Sequence, residues 1–311
     1  MKEKMIEVKS LFFRYKEREK LVLNNINLSI ERGEIFGILG TNGAGKTTLL
    51  SILSTLQTSF SGALVISGFD VKKQPCQVRK LIGVLFQEPV LDESLSGFQN
   101  LDFYAKIYNV SDRKKHILKA ADFIGIKNHL NKKVKYYSGG MKRRLEFARC
   151  FLLKPKVLIL DEPTLGLDPV ARRQITNYLK RINKDLKITI IISTHNPEEA
   201  DCLCHRIAII NHGRIALVGS PTALKSKLHV NLVRIKAGLA LNTIVDWLKE
   251  KDWVRNLVSE GSEIKFILFN PERNMNSLLN FISRHKVLSF GCSYLSLEDI
   301  FMNCVGGEIK C

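Results

Sequence analysis

The sequence lacks any apolar run long enough to cross a membrane. No such stretch among its 311 residues approaches the ~18 residues that a spanning helix needs. The first residues, Met1 to Lys4, are charged, and no apolar core of a secretion signal follows them. We therefore expect a soluble, cytoplasmic chain.

Cysteines are few and form no evident framework. There are seven, an odd number, and they are scattered along the chain, which favours reduced thiols over disulfides. The segment Cys202-Leu203-Cys204-His205 has the side-chain types of a zinc site. A second ligand cluster at zinc spacing is missing from the sequence, so we expect no zinc there. Internal repeats, low-complexity segments and heptad runs are also absent.

Acidic residues are in short supply. The chain has 48 lysines and arginines against 30 aspartates and glutamates, which gives a net charge of +18. Such a balance is typical of proteins with an anionic partner, for example a nucleotide, a nucleic acid or the anionic face of a membrane. It is equally typical of a soluble lysine-rich surface. The excess is spread along the chain, so charge alone does not decide between these interpretations.

One stretch carries a phosphate-binding pattern. It fits G-x-x-x-x-G-K-[ST] and comprises Gly40, Thr41, Asn42, Gly43, Ala44, Gly45, Lys46, Thr47 and Thr48. An apolar run at 35–39, suited to a buried strand, precedes it, and residues at helical spacing follow. The glycines let several N–H groups point at one anion, and the helix N-terminus adds positive charge. The pattern predicts that Lys46 reaches the β- and γ-phosphates and that the Thr47 hydroxyl faces Mg²⁺.

Two further strand ends carry candidate catalytic groups. Asp161 and Glu162 directly follow the apolar run 157–160. Adjacent carboxylates at a buried strand end are costly, and they point to opposite sides of a strand. One is therefore suited to Mg²⁺ and the other to a water molecule. His195 follows the apolar strand 188–193 and is placed to touch a γ-phosphate, although a lone histidine is usually structural.

The first part of the chain predicts a strand-rich domain with a helical insertion. Strands are expected at 6–15 and 21–30. Tyr15 ends the first of them, either as an ordinary strand aromatic or as a ring that stacks on a nucleotide base. Helical spacing dominates from about 88 to 150 and leads into Ser138-Gly139-Gly140. This tripeptide can cap a helix or offer donors to an anion, and by itself it is a weak signal.

The hydrophobic content of 45% is ordinary for a globular chain, and the length allows a second domain. We predict one domain at 4–225 and another at 230–305. The second is expected to order its elements β-α-β-β-α-β, a ferredoxin-like α+β arrangement. Its elements are predicted as strands 230–236, 253–259, 263–269 and 286–294, helices 241–250 and 272–285, and a final helix near Leu297 to Cys304.

Taken together, the ordered motifs resemble the ATP-binding subunit of an ABC transporter over about residues 4–225. The phosphate loop resembles the Walker A motif. The other counterparts are Tyr15 for the aromatic that stacks on adenine, Gln87 for the Q-loop, Ser138-Gly139-Gly140 for the signature, Asp161 and Glu162 for Walker B, Gly166-Leu167-Asp168 for the D-loop and His195 for the H-loop. The implied fold class is an α/β P-loop NTPase with a helical subdomain and a small C-terminal accessory domain.

The signature departs from the usual Leu-Ser-Gly-Gly-Gln. Tyr137 replaces the leucine and Met141 replaces the glutamine, while the serine and the glycines remain. Met141 followed by Lys142, Arg143 and Arg144 is similar to drug-export ATPases. The segment Leu295-Ser296-Leu297-Glu298-Asp299-Ile300-Phe301 is similar to the accessory domain of the same subgroup.

The resemblance implies a mechanism. Two copies, or two paired ATPase subunits, sandwich two ATP molecules, each touching Lys46 and Thr47 of one subunit and Ser138 and Gly140 of the other. Gly139 and Asp168 belong to the same nucleotide-contacting motifs. Glu162 polarises the attacking water, and His195 holds that water and the γ-phosphate. Mg²⁺ is held by Thr47, Gln87 and Asp161.

The same resemblance implies a separate multi-spanning permease, which places the chain at the inner face of the cell membrane and makes it an export ATPase. No nucleic-acid partner is expected. Two alternatives fit less well. Translation-associated ABC ATPases usually carry two ATPase domains in one chain, and DNA-repair ATPases of this type are split by a long coiled coil. This sequence has one such domain and no heptad run.

Overall fold

The computed structural model describes residues 3–17, 19–88, 90–227, 230–238 and 240–306. The chain divides between Val218 and Gly219 into two compact units. The predicted boundary, between 225 and 230, differs from this division. Helix α8 (Pro221–Lys227) packs against the last helix, α11 (Leu297–Gly306), and so belongs to the second unit.

The first unit contains ten strands and seven α-helices among its described residues. The strands are β1 Lys4–Phe13, β2 Leu23–Glu31, β3 Ile35–Leu39, β4 Ser61–Ile66, β5 Phe69–Asp70, β6 Ile82–Leu85, β7 Val157–Asp161, β8 Thr189–Thr194, β9 Arg206–Asn211 and β10 Arg214–Gly219. The helices are α1 Lys46–Leu53, α2 Pro75–Arg79, α3 Gly97–Ile107, α4 Arg113–Ile124, α5 Gly139–Phe151, α6 Pro169–Leu186 and α7 Pro197–Leu203.

Two sheets organise this unit. The larger has the strand order β10-β9-β3-β8-β7-β6, and its pairs β9–β3, β3–β8, β8–β7 and β7–β6 are parallel. Strands β3, β7 and β8 are buried along their whole length, as expected of apolar strands covered on both faces. Since parallel strands end at the same edge, the segments after β3, β6, β7 and β8 come together there. The smaller sheet is antiparallel, with the order β2-β1-β4-β5.

The predicted helical insertion is present as α3, α4 and α5, with two short 3₁₀ turns before α5. Ser96 begins α3 with a capping box, in which its hydroxyl accepts from the Gln99 N–H and the Gln99 side chain accepts from the Ser96 N–H. Leu101 and Ala105, one face of α3, are buried. Periodicity therefore located this part of the chain correctly.

The prediction that Tyr15 ends the first strand was wrong. Strand β1 stops at Phe13, whose ladder partner is Leu23. The N–H of Val22 donates to the Phe13 carbonyl at 2.9 Å, and this bond closes the hairpin before Tyr15 can enter the ladder. Tyr15 consequently lies in the loop between β1 and β2.

The second unit has the predicted β-α-β-β-α-β order, which is therefore confirmed. After α8 its elements are β11 Val230–Ala237, α9 Leu241–Lys249, β12 Val254–Glu260, β13 Glu263–Phe269, α10 Pro271–Ile282 and β14 Val287–Tyr294, followed by α11. The sheet order is β12-β13-β11-β14, with every neighbouring pair antiparallel, as in ferredoxin-like folds. Trp247 of α9 stacks on Phe281 of α10 with ring centroids 4.0 Å apart.

Among the residues that the structure describes, no helix combines the length and the apolar character that crossing a bilayer requires.

Candidate functional site

The phosphate loop joins the end of β3 to the start of α1. Gly43 and Gly45 adopt φ values of +80° and +107°, which a side chain would strain. A Cβ atom at Gly40 would lie only 2.7 Å from the carbonyl oxygen of Ile210. These positions explain why glycine is required here, and they let the loop curl ahead of the N-terminus of α1.

Lys46, the first residue of α1, points back into this loop. Its Nζ donates to the carbonyl oxygens of Gly40 at 2.9 Å and Thr41 at 3.1 Å. It also lies 3.6 Å from Oε1 of Glu162. Burial lowers the pKa of Lys46 from its usual value, and the negative charges of Glu162 and Asp161 act in the opposite direction.

The two carboxylates at the end of β7, Asp161 and Glu162, are held by the neighbouring strand β8. The Ser193 hydroxyl donates to Oδ1 of Asp161 at 2.5 Å, and its oxygen accepts from the Glu162 N–H at 3.0 Å. Glu162 has φ +43°, in the left-handed region. Nδ1 of His195, which follows β8, lies 3.1 Å from Oε2 of Glu162. One carboxylate thus contacts both the phosphate-loop lysine and the histidine.

These groups line an open cavity of about 1060 Å³. The residues predicted from the sequence that line it are Tyr15, Asn42, Gly43, Gly45, Lys46, Thr47, Thr48, Gln87, Glu162 and His195. Its size suits a nucleotide. Five segments that are distant in the sequence, those after β1, β3, β6, β7 and β8, therefore contribute to one site.

Tyr15 is fixed at this cavity by two contacts. Its hydroxyl is 3.2 Å from Oγ1 of Thr48, and its ring packs edge-on against Phe13 with centroids 4.8 Å apart. The ring is only partly buried. An aromatic face at the edge of a polar cavity is suited to stacking on a flat base.

Other predicted residues do not line the cavity. Gly40, Thr41 and Ala44 lie in the phosphate loop and Asp161 is the last residue of β7, whereas Ser138, Gly139, Gly140 and Asp168 belong to the starts of other helices. Ser138 caps α5, accepting from the Met141 N–H at 3.3 Å, and Asp168 caps α6, accepting from the Ala171 N–H at 2.8 Å. Within one chain the structure does not bring these two caps to the cavity.

Two buried residues for which the sequence analysis proposed no role in the site hold it in place. The Arg143 guanidinium of α5 donates to Phe86 O at 2.8 Å, Pro163 O at 2.9 Å, and the carbonyls of Asp161 and Glu162 at 3.2 and 3.1 Å. It also pairs with Glu146 at 3.2 Å, and Glu146 is fully buried.

The other oxygen of Glu146 accepts from the Val90 N–H at 2.9 Å. The pair therefore joins the segment around Gln87 to the strand end that carries Glu162. An i,i+3 pair of opposite charges on a helix could be noticed in the sequence, but its burial could not.

Comparison with known proteins agrees with this geometry. Residues 23–165 match the ABC transporter family, and residues 219–305 match the family described as "ATP-binding protein DrrA1-3-like, C-terminal domain". The linearmycin resistance ATP-binding protein LnrL of Bacillus subtilis is 30% identical over 94% of this chain and 96% of its own length. The daunorubicin/doxorubicin resistance ATP-binding protein DrrA of Streptomyces peucetius is 31% identical over 91% and 88%.

The solved structures that this chain resembles are also ATP-binding proteins of ABC transporters. The cbiO1 protein of Clostridium perfringens, part of the ABC transporter complex cbiONQ, superposes with a TM-score of 0.66 and 32% identity, covering 72% of this chain and 91% of its own. The ATP-binding cassette MJ0796, in a dimeric post-hydrolysis state bound to ADP and Pi, has a TM-score of 0.63 and 26% identity, covering 70% and 98%.

Fold and site together define a P-loop ATPase of the cassette type. The chain belongs to the ABC transporter ATP-binding protein family and carries a DrrA-like C-terminal domain. It is an ATP-binding, ATP-hydrolysing subunit of an ABC transporter. The resemblance found in the sequence is thereby confirmed, and the translation-associated alternative is not favoured.

Proposed function

We propose that this chain powers the export of a drug-like compound through a separate membrane-spanning permease. LnrL and DrrA, which match along almost the whole chain, are resistance proteins by name. The first unit is the ATPase and the second unit an accessory domain. The observation that carries the proposal is the convergence of the phosphate loop, Glu162 and His195 on one cavity.

In this proposal the phosphate loop and Lys46 hold the phosphates of ATP, and Tyr15 stacks on the base. The Lys46 ammonium group donates to the Gly40 and Thr41 carbonyls in this structure. When ATP binds, phosphate oxygens accept hydrogen bonds from this group in place of the two carbonyls. Both the loop N–H groups and the N-terminus of α1 favour the added negative charge. The hydroxyl contact between Tyr15 and Thr48 holds the ring of Tyr15 close to the phosphate loop.

Mg²⁺ is the metal that these residues fit. Thr47, Gln87 and Asp161 offer hydroxyl, amide and carboxylate oxygens, the hard donors that this ion prefers. Asp161 is 5% exposed, and its Oδ1 is fixed by the Ser193 hydroxyl, so its orientation is set in advance. When bound, the ion neutralises charge on the phosphates.

Glu162 acts as the base that takes a proton from the attacking water. Its carboxylate lies at the end of β7, next to the cavity, and His195 contacts Oε2. His195 orients Glu162 and reaches the γ-phosphate and the water. The Ser193 and Arg143 contacts to the Glu162 backbone hold the carboxylate in place.

The complete site needs a second ATPase subunit, most simply a second copy of this chain. Ser138, Gly139, Gly140 and Asp168 do not line the cavity of their own chain, although all are in motifs that contact nucleotide in the family. A two-fold symmetric pair would bring the start of α5 from each copy to the nucleotide of the other.

The permease is proposed to dock on the helical insertion and to hold the chain at the inner face of the membrane. Phe103 and Ile107 of α3 are 63% and 58% exposed, and Val90, whose N–H binds Glu146, is 58% exposed. Exposed apolar groups of this kind are typical of interaction sites. A nucleic-acid partner is not part of the proposal.

Affinity purification from detergent-solubilised membranes, followed by mass spectrometry, tests this function. A stoichiometric multi-spanning protein is the expected companion, and its recovery should fall when Phe103 and Ile107 are replaced by aspartate. A matched control carries aspartate at exposed Val258 in the second unit. Ribosomal proteins, or no membrane protein at all, would contradict the export proposal.

A further inference from the structure

Glu199, in the first turn of α7, is a buried carboxylate close to the catalytic segments. The residue is 7% exposed. Its Oε1 accepts a hydrogen bond from the Thr164 hydroxyl at 2.7 Å, and its Oε2 accepts one from the Thr194 hydroxyl at 2.6 Å. Both threonines are buried as well. The two oxygens of one carboxylate therefore hold two different segments of the chain.

These two threonines belong to the segments that carry Glu162 and His195. Thr164 lies two residues after Glu162, and Thr194, the last residue of β8, directly precedes His195. Nδ1 of His195 is 3.1 Å from Oε2 of Glu162. This contact depends on the separation of the ends of β7 and β8, and Glu199 spans that separation.

The position of Glu199 is set by the start of α7. Asn196 caps this helix, and its side-chain oxygen accepts from the N–H groups of Glu198 and Glu199 at 2.9 and 3.2 Å. The Thr194 hydroxyl, which donates to Glu199, also accepts from the Asn196 N–H at 3.0 Å. The carboxylate and the helix cap thus form one hydrogen-bonded unit with the end of β8.

A carboxylate at this position is costly for stability alone. In the part of the chain that the structure describes, no lysine, arginine or histidine forms an ion pair with Glu199. Burying a charge without a counter-ion costs free energy, and an apolar side chain of similar size avoids that cost. The carboxylate is therefore explained better by the two hydroxyls that it holds than by stability.

We propose that Glu199 is a positioning residue for ATP hydrolysis, which keeps His195 in contact with Glu162 by holding both strand ends. The inference rests on the roles proposed above for Glu162 and His195. Glu199 does not line the nucleotide cavity, so it acts through its neighbours. Glu162, His195 and Glu199 all line a separate small cavity of about 60 Å³, which brings the three groups close together.

Steady-state ATP turnover by Glu199→Met tests the inference. We expect kcat to fall about tenfold or more, because the reacting groups lose their alignment. The partners of Glu199 lie outside the phosphate loop, so KM for ATP should stay within about twofold of its unaltered value. Glu199→Gln keeps an oxygen for one threonine and offers an amide to the other, whose hydroxyl can turn to accept. It should therefore recover part of kcat.

Glu34→Met is the matched control. Glu34 is 6% exposed, accepts from the Glu31 N–H at 2.8 Å and directly precedes β3, at the other end of the sheet from the site. Its replacement removes a carboxylate that is buried to the same degree, and it should leave kcat unchanged. Thr194→Val covers the possibility that Glu199→Met disturbs the fold. It removes a single hydroxyl and should lower kcat in the same direction.

A second replacement shows whether the effect passes through His195. Adding His195→Ala to Glu199→Met should lower kcat little further, because the histidine is already displaced, whereas adding it to Glu34→Met should have its full effect. Normal kcat in both Glu199→Met and Thr194→Val, or a full effect of His195→Ala in both backgrounds, would overturn the inference while leaving the proposed function intact. Normal turnover by His195→Ala alone would refute the role proposed for that histidine, and this inference with it.

Discussion

Nζ of Lys46 lies 3.6 Å from Oε1 of Glu162, and the two side chains are only 5% and 11% exposed. The lysine proposed to hold phosphate and the carboxylate proposed to activate water therefore contact each other. Phosphates that reach Lys46 compete with this ion pair for the same ammonium group. Binding of ATP thus bears directly on the charge environment of the catalytic carboxylate.

Replacing Lys46 by alanine should weaken ATP binding about 10- to 100-fold. A hydrogen bond to a charged group contributes about 1.5–3 kcal/mol, and the variant loses the cation that contacts the phosphates. Fluorescent nucleotide titration measures the effect. Lys184→Ala, an exposed lysine of α6, is the control and should bind ATP normally. Equal affinity of the Lys46 variant and this control would refute the phosphate-loop assignment.

Complementation between two inactive variants tests the shared site. Lys46→Ala removes the phosphate lysine, and Ser138→Arg blocks the start of α5. In a mixed pair, one site combines the intact Lys46 of one chain with the intact Ser138 of the other. Each mixed pair should turn over ATP at about half the rate of an unaltered pair, if the two sites work independently. Because about half of the pairs in an equal mixture are mixed, the mixture should recover about a quarter of the unaltered turnover. A site built within one chain predicts no recovery.

The Arg143–Glu146 pair should show strong coupling in a double-mutant cycle. Arg143→Met leaves Glu146 buried without its cation and should lower the free energy of unfolding by about 3–5 kcal/mol. Adding Glu146→Met removes the unpaired charge and should recover part of that loss. Recovery stays incomplete because four backbone carbonyls also lose Arg143 as a donor.

Urea unfolding of the four proteins gives the coupling energy. Arg173→Met, at an exposed position of α6, controls for the loss of a surface arginine. If the changes in the free energy of unfolding caused by the two single replacements add up to the change in the double variant, the residues act independently. The proposal that this pair connects the Gln87 and Glu162 segments is then wrong.

The rate of alkylation should distinguish the buried cysteines from the exposed ones. Burial raises the pKa of the Cys150 thiol to about 11 and also raises that of Cys204. Near pH 8 neither is appreciably ionised, and both are enclosed, so iodoacetamide should label exposed Cys76 and Cys202 first. Raising the pH should speed labelling of Cys150 only as its pKa is approached or the fold opens. Peptide mass spectrometry reads the order, and early labelling of Cys150 would contradict the packing of α5.

Much of the fold could be predicted because hydrophobic pattern reports burial. The apolar runs of β3, β7 and β8 are continuous, and each ends at a motif with its own chemistry. Parallel strands then bring those motifs together without further information. The second unit alternates strand and helix periods clearly enough to give its topology.

The rest depends on contacts that sequence spacing does not encode. Tyr15 leaves the ladder because a hairpin bond closes at Phe13, which requires knowledge of the partner strand. The boundary at Val218 follows from the packing of α8 against α11, two helices distant in sequence. The contacts of Arg143 reach carbonyls 18 to 57 residues away. The left-handed backbone of Glu162 has no compositional signal either.

The measurement that tests the account most directly is ATP turnover by Glu162→Gln, with its oligomeric state followed in the same sample. The variant keeps the size of the side chain, but it replaces the carboxylate that contacts Lys46 and His195 by a neutral amide, which cannot take a proton from water. We predict unchanged ATP binding, turnover lowered about 100-fold or more, and an ATP-dependent pair that does not dissociate. Turnover at the level of the unaltered chain would contradict the assignment of Glu162 as the catalytic base.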